Sequence, residues 1–380
     1  MHTNPAIYSD FFTVLSYQIP VFDSSVKLLW IITVILAALT LLLFLTSIIA
    51  RTRHWTHEQL VKTYQNKHFP LILDYLEGEL TQEDIEQEFR GQGIEFSVFE
   101  DIIFDMLENL EGEDADKLRQ LLYLSPIFNY HFQQLSSSDN VERIKACNYF
   151  SYVRLVNYKV IKRLQAMLSS ENKMLVFSAA SGLMASKEVD IREEALRVVA
   201  GKFHYSRMAL LEMVYNFHDS ENEQMEKEGE ALLNLIDDES IPPKNAAVLM
   251  EGASEIGYQN LLPFLAGKLK SAKKRWRHPD ILKALIKAQG YYYNSEALPL
   301  IKRFVDHPDS QIRKSIAFSL GKFGDEESLG ALYELLHDRD YEVKVAAAKS
   351  LYENGEEGQA LLQSSHVEEH LNIKSIVNTF

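Results

Sequence analysis

The chain has 380 residues, with 54 acidic against 39 basic side chains and a net charge of −15, which argues against generic nucleic-acid binding by the whole chain. Its single cysteine, Cys147, excludes an internal disulfide and fits a reducing compartment. The sequence contains no Gly-rich phosphate loop, no Gly-x-Ser-x-Gly elbow, no His-Glu-x-x-His and no cysteine pair for zinc, so nothing demands catalysis, a cofactor or a metal.

Residues 1–26 hold no Lys or Arg and two charged side chains, Asp10 and Asp23. Their aromatics, Tyr8, Phe11, Phe12, Tyr17 and Phe22, suit a segment lying on the outer leaflet or against a partner's membrane helices. Leu28 to Ala50 is then one unbroken apolar run. As a helix rising about 1.5 Å per residue, it matches the roughly 30 Å hydrocarbon core of a bilayer. The run is too long for the core of a cleaved signal peptide and lacks a positive n-region, so residues 27–50 are expected to be an uncleaved transmembrane helix. Lys27 stands alone before the run, whereas Arg51, Arg53, Lys62 and Lys67 follow it. Cations are retained on the cytoplasmic side, so the expected address is the cell's inner (plasma) membrane, with the N-terminus outside and the body cytoplasmic. Trp30 and Trp55 fall where an interfacial aromatic belt would lie.

Residues 51–137 are expected to form a small acidic helical domain. Between Asp74 and Asp116 there are 16 acidic residues and one basic one, Arg90, so this surface should face away from an anionic leaflet. Helix starts are signalled by Thr81-Gln82-Glu83-Asp84 and Ser97-Val98-Phe99-Glu100, both near the capping-box pattern. Gly91 and Gly93 mark an inter-helix turn.

From residue 138 to 380 the sequence predicts a repeat array, clearest over 245–362. Gly257, Gly290, Gly324 and Gly355 recur at intervals of 33, 34 and 31 residues, each expected to cap an apolar helix at its C-terminus. Asp280, Asp309 and Asp340 stand before the next apolar helix as N-caps would. Ala284, Ala317 and Ala348 leave room for close helix approach, and Leu285, Leu320 and Leu351 fill the space between layers. Such helix pairs must stack to bury their faces, giving an elongated solenoid, and no stretch alternates like a strand. The fold class is therefore all-α.

The segments Asp309-Ser310-Gln311-Ile312-Arg313 with Ala317, Leu320 and Gly324, and Asp340-Tyr341-Glu342-Val343-Lys344 with Ala348, Leu351 and Gly355, resemble HEAT repeats, in particular the short bacterial kind of the phycobilisome-lyase type. Weaker copies lie at Leu175, Ala180 and Leu183 and at Val141 with Ala146, while Asp190-Ile191-Arg192 arrives too soon for a regular unit. The resemblance implies protein binding, and through its lyase members an alternative as a lyase-like or chromophore-handling enzyme.

Six cations fall within the ten residues 268–277, namely Lys268, Lys270, Lys273, Lys274, Arg275 and Arg277 around Trp276. In an acidic protein they make a local anion-attracting site, and a tryptophan among arginines suits an interface. These seven residues are the expected partner contact. His366 and His370, four apart on one helical face, offer too few ligands for a structural metal site. The His-Pro-Asp triplets at 278–280 and 307–309 resemble the tripeptide of chaperone J-domains but recur as turn and N-cap chemistry would. The acidic pairs Asp114/Asp116 and Asp338/Asp340 resemble metal-nucleotide pairs of glycosyltransferases but fall in an acidic run and a repeat turn. The expected function is a membrane-anchored scaffold or regulatory subunit for a membrane-associated protein partner, with a polysaccharide-synthesis or secretion machine as the type of client. A tether that self-assembles into homo-oligomers through its acidic and basic faces is the other alternative.

Overall fold

The computed structural model describes residues 24–89, 93–154, 157–218 and 224–365. Among them every regular element is helical. Residues 1–23, Gly91 and the pair His366/His370 lie outside the described residues. Packing divides the chain into two units, residues 1–109 and 110–380.

In the first unit, the apolar run belongs to a single helix, α1 (Ser24–Glu77), which does not end at Ala50. It is the one helix, among the described residues, long and apolar enough to cross a membrane. The side chains of Leu28 to Ala50 are exposed, and the first buried residue along α1 is His68. Beyond it α1 packs against α2 (Gln82–Glu88) and α3 (Gly93–Leu107), and Ile72 and Tyr75 of α1, Ile85 of α2 and Phe99, Ile102 and Ile103 of α3 are buried. Thr81 caps α2 through the expected box: its hydroxyl accepts from Asp84 N–H while Asp84 accepts from Thr81 N–H. The second expected start is displaced. Ser97 sits inside α3, which begins at Gly93 with φ of 57°, a left-handed value that glycine adopts without penalty.

The second unit begins with α4 (Glu113–Leu122) and α5 (Ser125–Gln134). Helix pairs follow: α6 (Asn140–Val153) with α7 (Tyr158–Met167), α8 (Lys173–Leu183) with α9 (Val189–Lys202), and α10 (Arg207–Phe217) with α11 (Met225–Asp237). Next come α12 (Pro243–Ile256) with α13 (Leu262–Leu269), α14 (Pro279–Tyr291) with the short α15 (Leu298–Ile301), α16 (Ser310–Phe323) with α17 (Glu326–Leu335), and α18 (Tyr341–Glu353) with α19 (Gly355–Ser364). First members stack on first members: α6 on α8, and α10, α12, α14, α16 and α18 in series. Between these two runs α9 packs against both α8 and α10, which accounts for the early arrival of its Asp190-Ile191-Arg192. The Tyr149 hydroxyl of α6 donates to Leu122 O, and Phe150 meets Phe128 edge-on at 5.7 Å. These contacts bind α4 and α5 to the repeat body.

Repeat signals differ in what they do. Gly257 and Gly324 are left-handed C-caps of α12 and α16, with φ of 92° and 69°. Gly290 instead lies inside α14, where an added Cβ would come 2.9 Å from Ser319 Cα, so it serves close approach rather than termination. Gly355 opens α19, and Asn354 is the C-cap of α18. Asp309 and Asp340 are N-caps accepting from Gln311 and Glu342 N–H, but in α14 that role belongs to His278, whose Nδ1 accepts from Asp280 N–H. Neighbouring repeats are also joined by hydroxyls at equivalent positions: Ser319 Oγ donates to Ile286 O (2.7 Å) and Ser350 Oγ to Ala317 O (3.0 Å), each 33 residues back.

Candidate protein-binding surface

The 268–277 segment splits into inward and outward halves. Arg275 donates to the carbonyls of Ile236 (3.1 Å), Asp238 (2.8 Å) and Ile241 (3.0 Å), at and just beyond the end of α11, where helical carbonyls lack partners. Trp276 is 2% exposed and packs edge-on against Phe264. Lys268 pairs with Asp237 at 2.8 Å and lies 4.4 Å from the centroids of both Phe264 and Trp276. Arg277 donates to Leu269 O at 3.0 Å and stacks over Phe304. Lys270, Lys273 and Lys274 point outward. Of the seven residues, Lys268, Arg275 and Arg277 thus reach adjacent repeats, Trp276 is buried between them, and three lysines are exposed.

A second, larger basic surface is spread across the stacked helices. A groove of about 680 Å³ runs over α10, α12, α14, α16 and α18. Its walls come from one face of each helix, at corresponding distances from the N-caps. Val248, Ala284, Ser315 and Ala346 form a floor of small and apolar side chains, and Glu251, Lys287, Phe318 and Lys349 form the next rung. Among the described lining residues seven are cationic (Arg207, Lys244, Lys283, Lys287, Lys314, Lys322 and Lys349) and three are acidic (Glu251, Asp280 and Glu353). The excess is four positive charges in a chain of net −15. Phe318 lies between Lys287 and Lys322, each 5.7 Å from its ring centroid. The signal was in the sequence, but at repeat spacing: Lys283 and Lys314 are 31 residues apart, as are Phe318 and Lys349.

Two positions past their N-caps, the first helices of successive repeats differ in character. Val141, Met174 and Met208 there are 57%, 61% and 68% exposed. Later helices carry Lys244, Asp280, Gln311 and Glu342 at that position.

Polar residues buried elsewhere serve packing. Arg313 binds Asp338 through Nε (2.7 Å) and Nη2 (2.8 Å) and donates to His307 O (2.6 Å). This guanidinium holds the Asp338 carboxyl below its ordinary pKa. Asp338 is thereby occupied and Asp340 caps a helix. Asp114 and Asp116 pair with Lys117 and Arg119. No group of three or more potential ligands converges among the described residues. Burial pushes the Cys147 thiol up to about 12, which keeps it protonated and inert.

Residues 268–352 match the family model described as HEAT repeats. No curated protein matches the chain. Among solved structures, a designed armadillo repeat protein is 17% identical over 60% of this chain and 100% of its own, with a TM-score of 0.29. An engineered protein is 14% identical over 72% of this chain and 80% of its own, at 0.33. Armadillo repeat proteins computationally designed for modular peptide recognition are 17% identical over 60% and 99%, at 0.29. Scores this low transfer nothing about ligands. The matched segment, α-solenoid in fold, carries repeats of the HEAT type.

Proposed function

We propose that this protein is a membrane-anchored scaffold whose repeat unit binds a protein partner at the cytoplasmic face of the inner membrane. The observation that carries the reading is the presence in one chain of an exposed apolar helix of membrane-spanning length and a HEAT-type array with an open, side-chain-lined groove. Stacked repeats offer extended binding surfaces, and an anchor raises their effective concentration near any membrane-embedded partner. The cations of Arg51, Lys62 and Lys67 on α1 favour a cytoplasmic body. A polysaccharide-synthesis or secretion complex is the type of client this arrangement suits. The outward Lys270, Lys273 and Lys274 supply an additional contact for an acidic protein surface.

Affinity purification of the full chain from native membranes tests the reading: a partner should co-purify, and carbonate washing should leave the protein in the membrane. Complete extraction by carbonate would defeat the anchor. A reporter active only outside the cytoplasm, fused after Phe380, should be silent, and activity there would invert the topology.

A further inference from the structure

We infer that the groove across α10 to α18 takes an extended acidic segment of the partner, with carboxylates about three residues apart in polyproline-II conformation. The inference rests on the scaffold function proposed above and specifies the chemistry of what is bound.

Charge sets the sign of the occupant. Seven cations against three carboxylates line the groove, and several of those cations keep a partly exposed side chain while paired. Lys287 lies 3.5 Å from Glu251 and Lys314 lies 3.1 Å from Glu342, with side chains 36% and 45% exposed. Each can turn toward an incoming carboxylate without unburying a core group. Phe318, flanked by Lys287 and Lys322, presents an apolar surface at mid-groove, against which the ring of a proline or the stem of a glutamate can lie.

Spacing sets the conformation. Packed helices lie about 8–10 Å apart, so each wall rung recurs at about that interval. A β-extended chain advances about 3.3 Å per residue and returns to the same side every second residue, near 6.6 Å, out of step with the rungs. A polyproline-II chain has three residues per turn at about 3.1 Å each and returns near 9.3 Å, in step. An acidic chain of about twelve residues, one carboxylate per repeat, fits both charge and pitch.

The test uses the full chain in detergent micelles and four fluorescent peptides: (Glu-Pro-Pro)4, (Lys-Pro-Pro)4, a block peptide in which four glutamates precede eight prolines, and (Glu-Pro)6. Anisotropy should show (Glu-Pro-Pro)4 binding at 50 mM NaCl and weakening at least tenfold at 500 mM. The block and alternating peptides should bind at least fivefold more weakly, and the lysine peptide should not bind. Lys287→Glu with Lys314→Glu should lower affinity for (Glu-Pro-Pro)4 at least tenfold with an unchanged circular dichroism spectrum, whereas Lys159→Glu with Lys187→Glu, at exposed positions outside the groove, should not. Equal binding of the lysine peptide, or indifference to the Lys287/Lys314 reversal, would overturn the acidic occupant. Equal binding of the block or alternating peptide would overturn the three-residue pitch. Salt-sensitive self-association that (Glu-Pro-Pro)4 cannot displace would assign the groove to a second copy and overturn the proposal. A native partner that co-purifies equally with the Lys287/Lys314 variant would leave the scaffold function standing and remove this occupant.

Discussion

Arg192 and Glu228, 36 residues apart in sequence, form an ion pair in which neither side chain meets solvent. The same guanidinium donates to Ser186 O at 2.6 Å, and the carboxylate accepts from Tyr258 Oη (2.8 Å) and His218 Nδ1 (3.0 Å). The pair ties α9 to α11 and reaches the residue after the α12 C-cap. Arg313 repeats the arrangement with His307 O, likewise six residues upstream. Removing one member of a buried pair leaves the other uncompensated and costs about 3–5 kcal/mol. Arg192→Met should therefore lower the thermal midpoint sharply by circular dichroism, and Arg192→Met with Glu228→Met should recover much of the loss. A single variant as stable as the parent would contradict the account.

The 268–277 cluster should behave as two populations. Trp276→Ala removes a buried indole and should cost about 3–5 kcal/mol, and Arg275→Ala should destabilise by leaving three carbonyls without their donor. Lys270→Ala, Lys273→Ala and Lys274→Ala, at exposed positions, should leave urea midpoints unchanged. Equal sensitivity of both groups would mean that the inward half does not hold the repeats.

Two glycine substitutions should have opposite signs. Gly290→Ala drives a methyl group against the Ser319 backbone, and such overpacking costs about 1–3 kcal/mol. Gly330, in the middle of α17, faces open space, so Gly330→Ala should gain about 0.5–1 kcal/mol from helix propensity. Urea titration of each full-length variant checks the pair.

Much of the architecture was legible in the sequence because its signals are local. A run of apolar residues, the left-handed caps Gly257 and Gly324, and the N-caps Asp309 and Asp340 each act within a few residues of themselves. The destination of Arg275 was not legible, because its acceptors lie 34 to 39 residues upstream and nothing local distinguishes them from other carbonyls. Gly290 carried the same letter as Gly324 at the right interval, yet its partner is the backbone of the next repeat. The groove cations were hidden for a related reason. Residues that are neighbours across helices stand about 31 apart in the chain, so their density appears only when repeats are aligned.

Acid should loosen the first unit. His68 Nε2 donates to Glu95 Oε1 at 2.9 Å, and Lys67 Nζ donates to the same oxygen at 2.9 Å. Desolvation holds the His68 pKa below its ordinary 6.5, against the hydrogen bond to Glu95. As pH falls through 6.5 the unfolded chain takes up this proton before the folded one does, so stability is full above that value and declines toward the lower folded pKa. Desolvation of Glu95 is outweighed by its bonds to Lys67 and His68, which hold its pKa below 4.5. Its contribution is present above that value and is lost as pH falls through the folded one. Hydrogen exchange of α3 amides, corrected for intrinsic rate, should quicken from pH 7.5 to 5.5, and His68→Phe should flatten that step.

The unbroken course of α1 sets a distance. From Ala50 to His68, its first buried residue, the helix runs eighteen residues, about 27 Å at 1.5 Å per residue. Ionic screening in the cell decays over about 8 Å. If the apolar run sits in lipid with α1 upright, the acidic helices at its far end stand several screening lengths from the headgroups and feel almost none of their repulsion. The exposed, mixed-charge stretch between is then a spacer, and shortening it by whole turns would bring a strongly negative body into a negatively charged surface.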